Sequence, residues 1–171
     1  NLMFEISGGM RQMKRFLLGL IAVVMAVTLS GCFGDPVKSD LEDYRKTNNL
    51  IVSQMEKSLE AEMKKVNNIS EPKDAVAALE AMKAIILDAQ KKQTTFQPKS
   101  DEVKALNAKI QSGFTELDGA MDKFIGAAKS NDVDQFNSAV EGVSTAADNL
   151  DKVEREFFKL AKQKGLKWVE Q

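Results

Sequence analysis

Residues 101–130, DEVKALNAKIQSGFTELDGAMDKFIGAAKS, decide the fold. Val103, Leu106, Ile110, Phe114, Leu117, Met121, Phe124 and Ala128 recur at alternating steps of three and four. That spacing sets all eight on one face of a 3.6-residue helix, as in a bundle seam. Ser100-Asp101-Glu102 supplies a helix start with acids in its first turn, where they complement the macrodipole. A helix so long and so one-sided needs partners along its whole length, and the rest of the chain offers them.

Upstream, Ser70-Glu71-Pro72 starts a segment whose stripe is Ala75, Leu79, Met82, Ile86, Ala89, Gln93 and Phe96, and Pro98 ends it. Further upstream, the stripe is Leu41, Tyr44, Asn48, Ile51, Met55, Leu59, Met63 and Val66, broken at Asn67-Asn68. Its start is either Asp35-Pro36, a capping aspartate before a first-turn proline, or a capping box at Ser39-Asp40-Leu41-Glu42. Downstream, after a short turn at Lys129 to Asp132, the expected inward residues are Val133, Phe136, Val140, Val143, Ala147, Leu150, Val153, Phe157 and Leu160. A left-handed cap is expected near Gly165. The expected helices are 36–67, 71–96, 101–129 and 132–164. Short connections make consecutive helices antiparallel neighbours, so the fold class is all-α, an up-down-up-down four-helix bundle forming a rod about 40–45 Å long. A three-helix array with a broken first helix is the rival.

Composition narrows the chemistry. The 171 residues carry a formal net charge of −1 and no basic block interleaved with aromatics, so a nucleic-acid partner is not expected. There is no histidine, which removes Ser-His-Asp and Cys-His catalysis and His-ligated metal or haem sites. The single cysteine allows neither an intrachain disulfide nor a thiolate metal cluster.

That cysteine has a telling position. Met13-Lys14-Arg15 is a short basic start, residues 16–28 (FLLGLIAVVMAVT) form an apolar run, and Leu29-Ser30-Gly31-Cys32 follows. The run is short for a transmembrane span and of the length of a signal-peptide core. The order of basic start, apolar run and final box resembles bacterial lipoproteins, in which small residues precede a lipid-modified cysteine. The resemblance implies cleavage between Gly31 and Cys32, with diacylglycerol on the sulfur and an acyl group on the new amine, so Cys32 is the expected lipid attachment. Phe33, in place of the aspartate that resembles an inner-membrane retention signal, implies the periplasmic face of the outer membrane in a two-membrane host. In a one-membrane host it implies the outer face of the cell membrane. The expected division is 1–12 as upstream or non-native extension, with translation starting at Met10 or Met13, then 13–31 signal peptide, 32–35 tether and 36–171 bundle. At an extended reach of about 3.3–3.6 Å per residue, that tether holds the near end of the rod within about 10–25 Å of the bilayer.

By alternation the near end also receives residues 97–100 and the carboxyl terminus, which gathers Lys91, Lys92, Lys99, Lys159, Lys162, Lys164 and Lys167 beside Trp168. Lys162, Lys164, Lys167 and Trp168 are candidates for a contact with anionic headgroups. The competing reading has the lysines oppose helix dipoles and Trp168 plug the bundle end. Asn48 and Gln93 interrupt apolar seams and either set register or, with Tyr44, line a small-ligand cavity. Asp132-Val133-Asp134 reads as helix capping, and no metal is expected there. Val52, Val76, Ile85, Ile125 and the Phe157-Phe158 pair widen the apolar faces, as a buried bundle helix requires, and the mature methionines Met55, Met63, Met82 and Met121 read as core filling.

No nucleophile, base and orienting group come together in the sequence. The expectation is a non-enzymatic, membrane-anchored helical lipoprotein without cofactor beyond its covalent lipid. It would work as an interaction or structural module at the envelope, with an envelope protein or the cell wall as partner. In general organisation it resembles small helical lipoproteins assigned to cell-wall binding, and shares only the lipobox with them. The alternative is a bundle lipoprotein that binds a small ligand.

Overall fold

Asp35 starts the first helix. Its side chain accepts a 2.9 Å hydrogen bond from the backbone N–H of Val37, and Pro36 takes the first helical position, where its missing N–H costs nothing. The chain then forms four helices among the described residues: α1 (Pro36–Val66), α2 (Pro72–Gln93), α3 (Asp101–Ser130) and α4 (Val133–Gln163). The computed structural model describes residues 34–66, 72–130 and 132–168. The extension 1–12, the signal peptide 13–31 with Gly31, the cysteine Cys32 and most of the tether lie outside the described residues, as do the side chains of Met63 and Val66.

Consecutive helices run antiparallel and close into a four-helix bundle. Cross-helix pairs trace the alternation. Lys83 of α2 meets Asp118 (3.2 Å) and Asp122 (2.6 Å) of α3, Lys129 reaches back to Glu80 (2.7 Å), and Lys109 of α3 meets Glu156 of α4 (2.6 Å). These pairs mark register more than they stabilise, since water and salt screen ion pairs at the surface. Stability comes from the interior, where Leu41, Leu59, Leu79, Met82, Ile86, Met121, Phe124, Phe136 and Phe157 are almost wholly removed from water.

The α2 and α4 expectations need correction. Helix α2 stops at Gln93, because the hydroxyls of Thr94 and Thr95 donate to the carbonyls of Lys91 and Lys92 (2.7 Å each) and draw the backbone out of the helix. At 1.5 Å per residue α2 is about 33 Å long against about 45 Å for its neighbours. Phe96, expected on the helix, fills the resulting gap from the loop and meets the Tyr44 ring edge-on at 5.6 Å.

In α4 the buried face is Phe136, Ala139, Val143, Ala146, Ala147, Leu150, Glu154, Phe157 and Ala161. Val133 is exposed, and Val140, Val153 and Leu160 are only half-buried at the edges of the seam. The reason is the close approach of α3 and α4. At Gly113 of α3 a Cβ would lie 2.5 Å from Leu150 Cδ2, so small residues take the centre of this interface and larger ones straddle it. Helix α4 ends as expected: Gly165 takes φ +75°, Leu166 N–H bonds Ala161 O (2.9 Å) and Gly165 N–H bonds Lys162 O (3.0 Å), a Schellman closure.

Candidate functional site

One end of the bundle carries the start of α1, the α2–α3 connection and the chain's last described residues. Lys164 Nζ lies 3.7 Å from Asp35 Oδ2, which joins the end of α4 to the start of α1. Asp40 ties in the third element. Its Oδ2 accepts from the backbone N–H of Lys99 (2.8 Å), from that of Ser100 (2.6 Å) and from the Ser100 hydroxyl (2.6 Å). Asp40, grouped in the sequence with a capping box for its own helix, therefore caps the start of α3 from α1, and the capping-box alternative gives way to Asp35. Burial alone would raise the Asp40 carboxyl. The hydrogen bonds from Ser100 and Lys99, with the Lys99 charge, hold it below its ordinary value instead.

At this same end Trp168 folds back onto the bundle. It packs edge-on against Phe158 at 5.5 Å, and the Arg45 guanidinium lies 5.9 Å from its ring centroid, a cation–π arrangement. Lys162 and Lys167 are exposed, while Lys164 is half-buried beside Asp35. Lys92 pairs with Asp88 of its own helix at 2.5 Å and donates to Gln54 of α1 at 2.7 Å. Gly31 and Cys32 lie outside the described residues.

The polar seam residues do not meet in one place. Gln93 of α2 donates to Asn107 of α3 (3.1 Å), whereas Asn48 of α1 donates from Nδ2 to Glu154 Oε1 of α4 (3.1 Å). Asp132 accepts from Gln135 N–H and Nε2 at 2.9 Å, and so caps α4. Among the described residues no three His, Cys, Asp or Glu side chains gather closely enough to hold a metal ion.

Glu154 is the residue that sequence reasoning missed. It is only 8% exposed, its one hydrogen-bonding partner among the described residues is Asn48, and Asp151 nearby adds a like charge. Burial first, and Asp151 second, push its carboxyl from 4.5 up to about 7, despite the Asn48 hydrogen bond that favours the charged form. Its signal was present: Leu150, Glu154, Phe157 and Ala161 continue the inward stripe by steps of four, three and four. A charged type at that position carries no apolar signal, whereas its neighbour Val153 does.

Around this carboxyl the packing is tight. The Tyr44 ring stacks on Phe157 with centroids 3.6 Å apart, and its buried hydroxyl has no hydrogen-bonding partner among the described residues. Burial, reinforced by Glu154, drives the Tyr44 hydroxyl well above its usual range. Asn48, Glu154, Ile51, Val52 and Phe114 border a cavity of about 30 Å³. That is room for about one or two water molecules, against the roughly 300 Å³ or more of ordinary ligand sites.

A larger hollow of about 1040 Å³ lies open on the α3–α4 face, where Gly119, Gly126 and Gly142 leave space that side chains would fill. Glu116, Lys123 and Asp134 line it as well. None of the described helices is long and apolar enough to cross a membrane. Compared with known proteins, the chain matches no family model, no curated protein and no solved structure.

Proposed function

We propose that this chain is a non-enzymatic bacterial lipoprotein, held to a membrane through lipid on Cys32, that serves as an interaction or structural module at the cell envelope. The observation that carries the reading is the order of the amino-terminal segments: basic start, apolar run, Leu29-Ser30-Gly31-Cys32, then a helix beginning at Pro36. Each buried methylene of a lipid chain contributes ~0.8 kcal/mol, so two or three acyl chains make release negligible where one would be marginal. Between the anchor and α1 stand only Phe33, Gly34 and Asp35. The end bearing Asp40, Lys164 and Trp168 would therefore face the bilayer, with Lys162 and Lys167 available to anionic headgroups. The far end would reach about 45 Å toward an envelope protein or the cell wall.

The hydrophobic interior supports a module that acts through its surface. The cavity beside Asn48 has the size of a water molecule or two, which favours this reading over an internal small-ligand carrier.

Fractionation tests the anchor. The parent chain should travel with membranes and label with a fatty-acid analogue, whereas Cys32→Ser should lose the label and either become soluble or persist as precursor. Unchanged membrane recovery and migration of Cys32→Ser would overturn the lipid assignment. Crosslinking in intact cells then identifies the partner, and the account expects an envelope protein or peptidoglycan among the products.

A further inference from the structure

The α1–α4 interface differs from the other seams of the bundle. Helices α3 and α4 come close at Gly113, but α1 and α4 stand further apart and are joined by long side chains, Tyr44 on Phe157 and Asn48 on Glu154. We propose that the Asn48–Glu154 contact is a proton-operated latch: with its proton, Glu154 keeps α1 seated on α4, and without it the adjoining cavity hydrates and this seam loosens. The latch does not depend on the lipid anchor, so its failure would leave the reading of Cys32 untouched.

The surroundings of the carboxyl carry the argument. From α1 it faces Asn48 and the Tyr44 hydroxyl, and neither supplies positive charge. Helix α3 turns Ile110, Phe114 and Leu117 to the same cavity, and α2 contributes no lining residue. On α4 itself the neighbouring charge is Asp151, of the same sign. Four cations of these helices engage other groups: Arg155 binds Asp151 at 2.9 Å, Lys109 binds Glu156 at 2.6 Å, Lys152 donates to Asn149 at 3.2 Å, and Arg45 lies over Trp168. An ionised Glu154 would thus be a buried charge with one neutral donor, and such a charge is strongly unfavourable until water reaches it. Water has a place to enter, because the cavity of about 30 Å³ already borders the carboxyl and lies between α1, α3 and α4. Opening there hydrates Glu154 and the unpartnered Tyr44 hydroxyl together, while the α2–α3 and α3–α4 seams keep their contacts.

Backbone hydrogen exchange on the full chain, corrected for the intrinsic pH dependence of exchange, reads the latch directly. Between about pH 5.5 and about pH 8.5, protection of α1 amides around residues 44–55 should fall by about 30-fold, and α2 and α3 should change far less. Glu154→Gln, which keeps the shape and removes the charge, should hold high protection in α1 at both values. Should that variant not fold, Glu154→Met supplies the uncharged comparison. Flat α1 protection in the parent, an equal fall in all four helices, or the same pH response in the uncharged variant would overturn the proposal.

Discussion

The bundle buries two carboxylates of opposite character. Asp40 and Glu154 are both nearly inaccessible, at 5% and 8% exposure, yet one is held charged and the other is pushed toward its neutral form. The difference lies in the donors. Asp40 receives two backbone N–H groups and a hydroxyl at the start of α3, where unpaired amides and the helix dipole favour an anion. Glu154 sits at mid-helix, where the backbone amides are already committed, and receives only the Asn48 amide. Loss of solvent access alone therefore does not set the charge state: Glu154 lies deep among the packed helices, where burial dominates, and Asp40 lies at the bundle end, where the donors outweigh it. The same contrast divides the molecule into a pinned end, where Asp40 and the Asp35–Lys164 pair together tie three segments of chain, and a seam joined by side chains alone.

Removing the better-served carboxylate should have the largest effect. Asp40→Ala leaves three donors near the α3 start without their acceptor, and at about 1.5–3 kcal/mol for each bond to a charged group, not fully additive, the loss should be about 4 kcal/mol. A shift in urea midpoint measures it. The pH dependence carries the opposite sign for the two groups. Since the folded state lowers the Asp40 carboxyl, its stabilisation is present above its unfolded value of 3.8 and is lost as pH falls below that. Since the folded state raises the Glu154 carboxyl, the folded chain binds the extra proton, so stability is greatest below 4.5 and declines as pH rises to about 7. That interval corresponds to about 3 kcal/mol, so Glu154→Gln should equal the parent near the lower value and exceed it by about 3 kcal/mol above the upper one. Urea melts of the pair across this range check both the sign and the size.

Two smaller changes sharpen the contrast between the seams. Gly113→Ala places a methyl against Leu150 in the close α3–α4 interface, which costs about 1–3 kcal/mol, offset by about 1 kcal/mol of helix propensity. A net loss of about 1 kcal/mol in thermal unfolding is expected. Tyr44→Phe removes a buried hydroxyl that has no partner, and the change should be neutral or stabilising by less than about 1 kcal/mol.

The sequence showed the seams wherever large apolar residues define them. Every inward residue expected in α3 is buried, as are those of α2 from Ala75 to Gln93 and Phe96 in the loop after it. Val52 and Ile125 also go inside, and Val76 and Ile85 pack at the margin. In α4 the periodicity misled, because alanines at 139, 146 and 161 take buried positions and carry almost no hydropathy signal, while Val133 is exposed and Val140 and Val153 are half-buried. The helix ends set by Asp35, Asp132 and Gly165 were legible as well, since these residues act through their own local backbone, whereas the end of α2 was not. What could not be read was any role set by a distant partner. Asp40 serves residues some sixty positions away, and Asn48 meets Glu154 across the bundle, so neither pairing leaves a local pattern.

Titration of the side-chain carboxyl carbons by NMR, with Asp40 and Glu154 assigned by substitution, tests the contrast most directly. The account predicts a midpoint near 7 for Glu154 and one below 3.8 for Asp40. Midpoints for both in the ordinary range of exposed carboxylates, about 4, would contradict it.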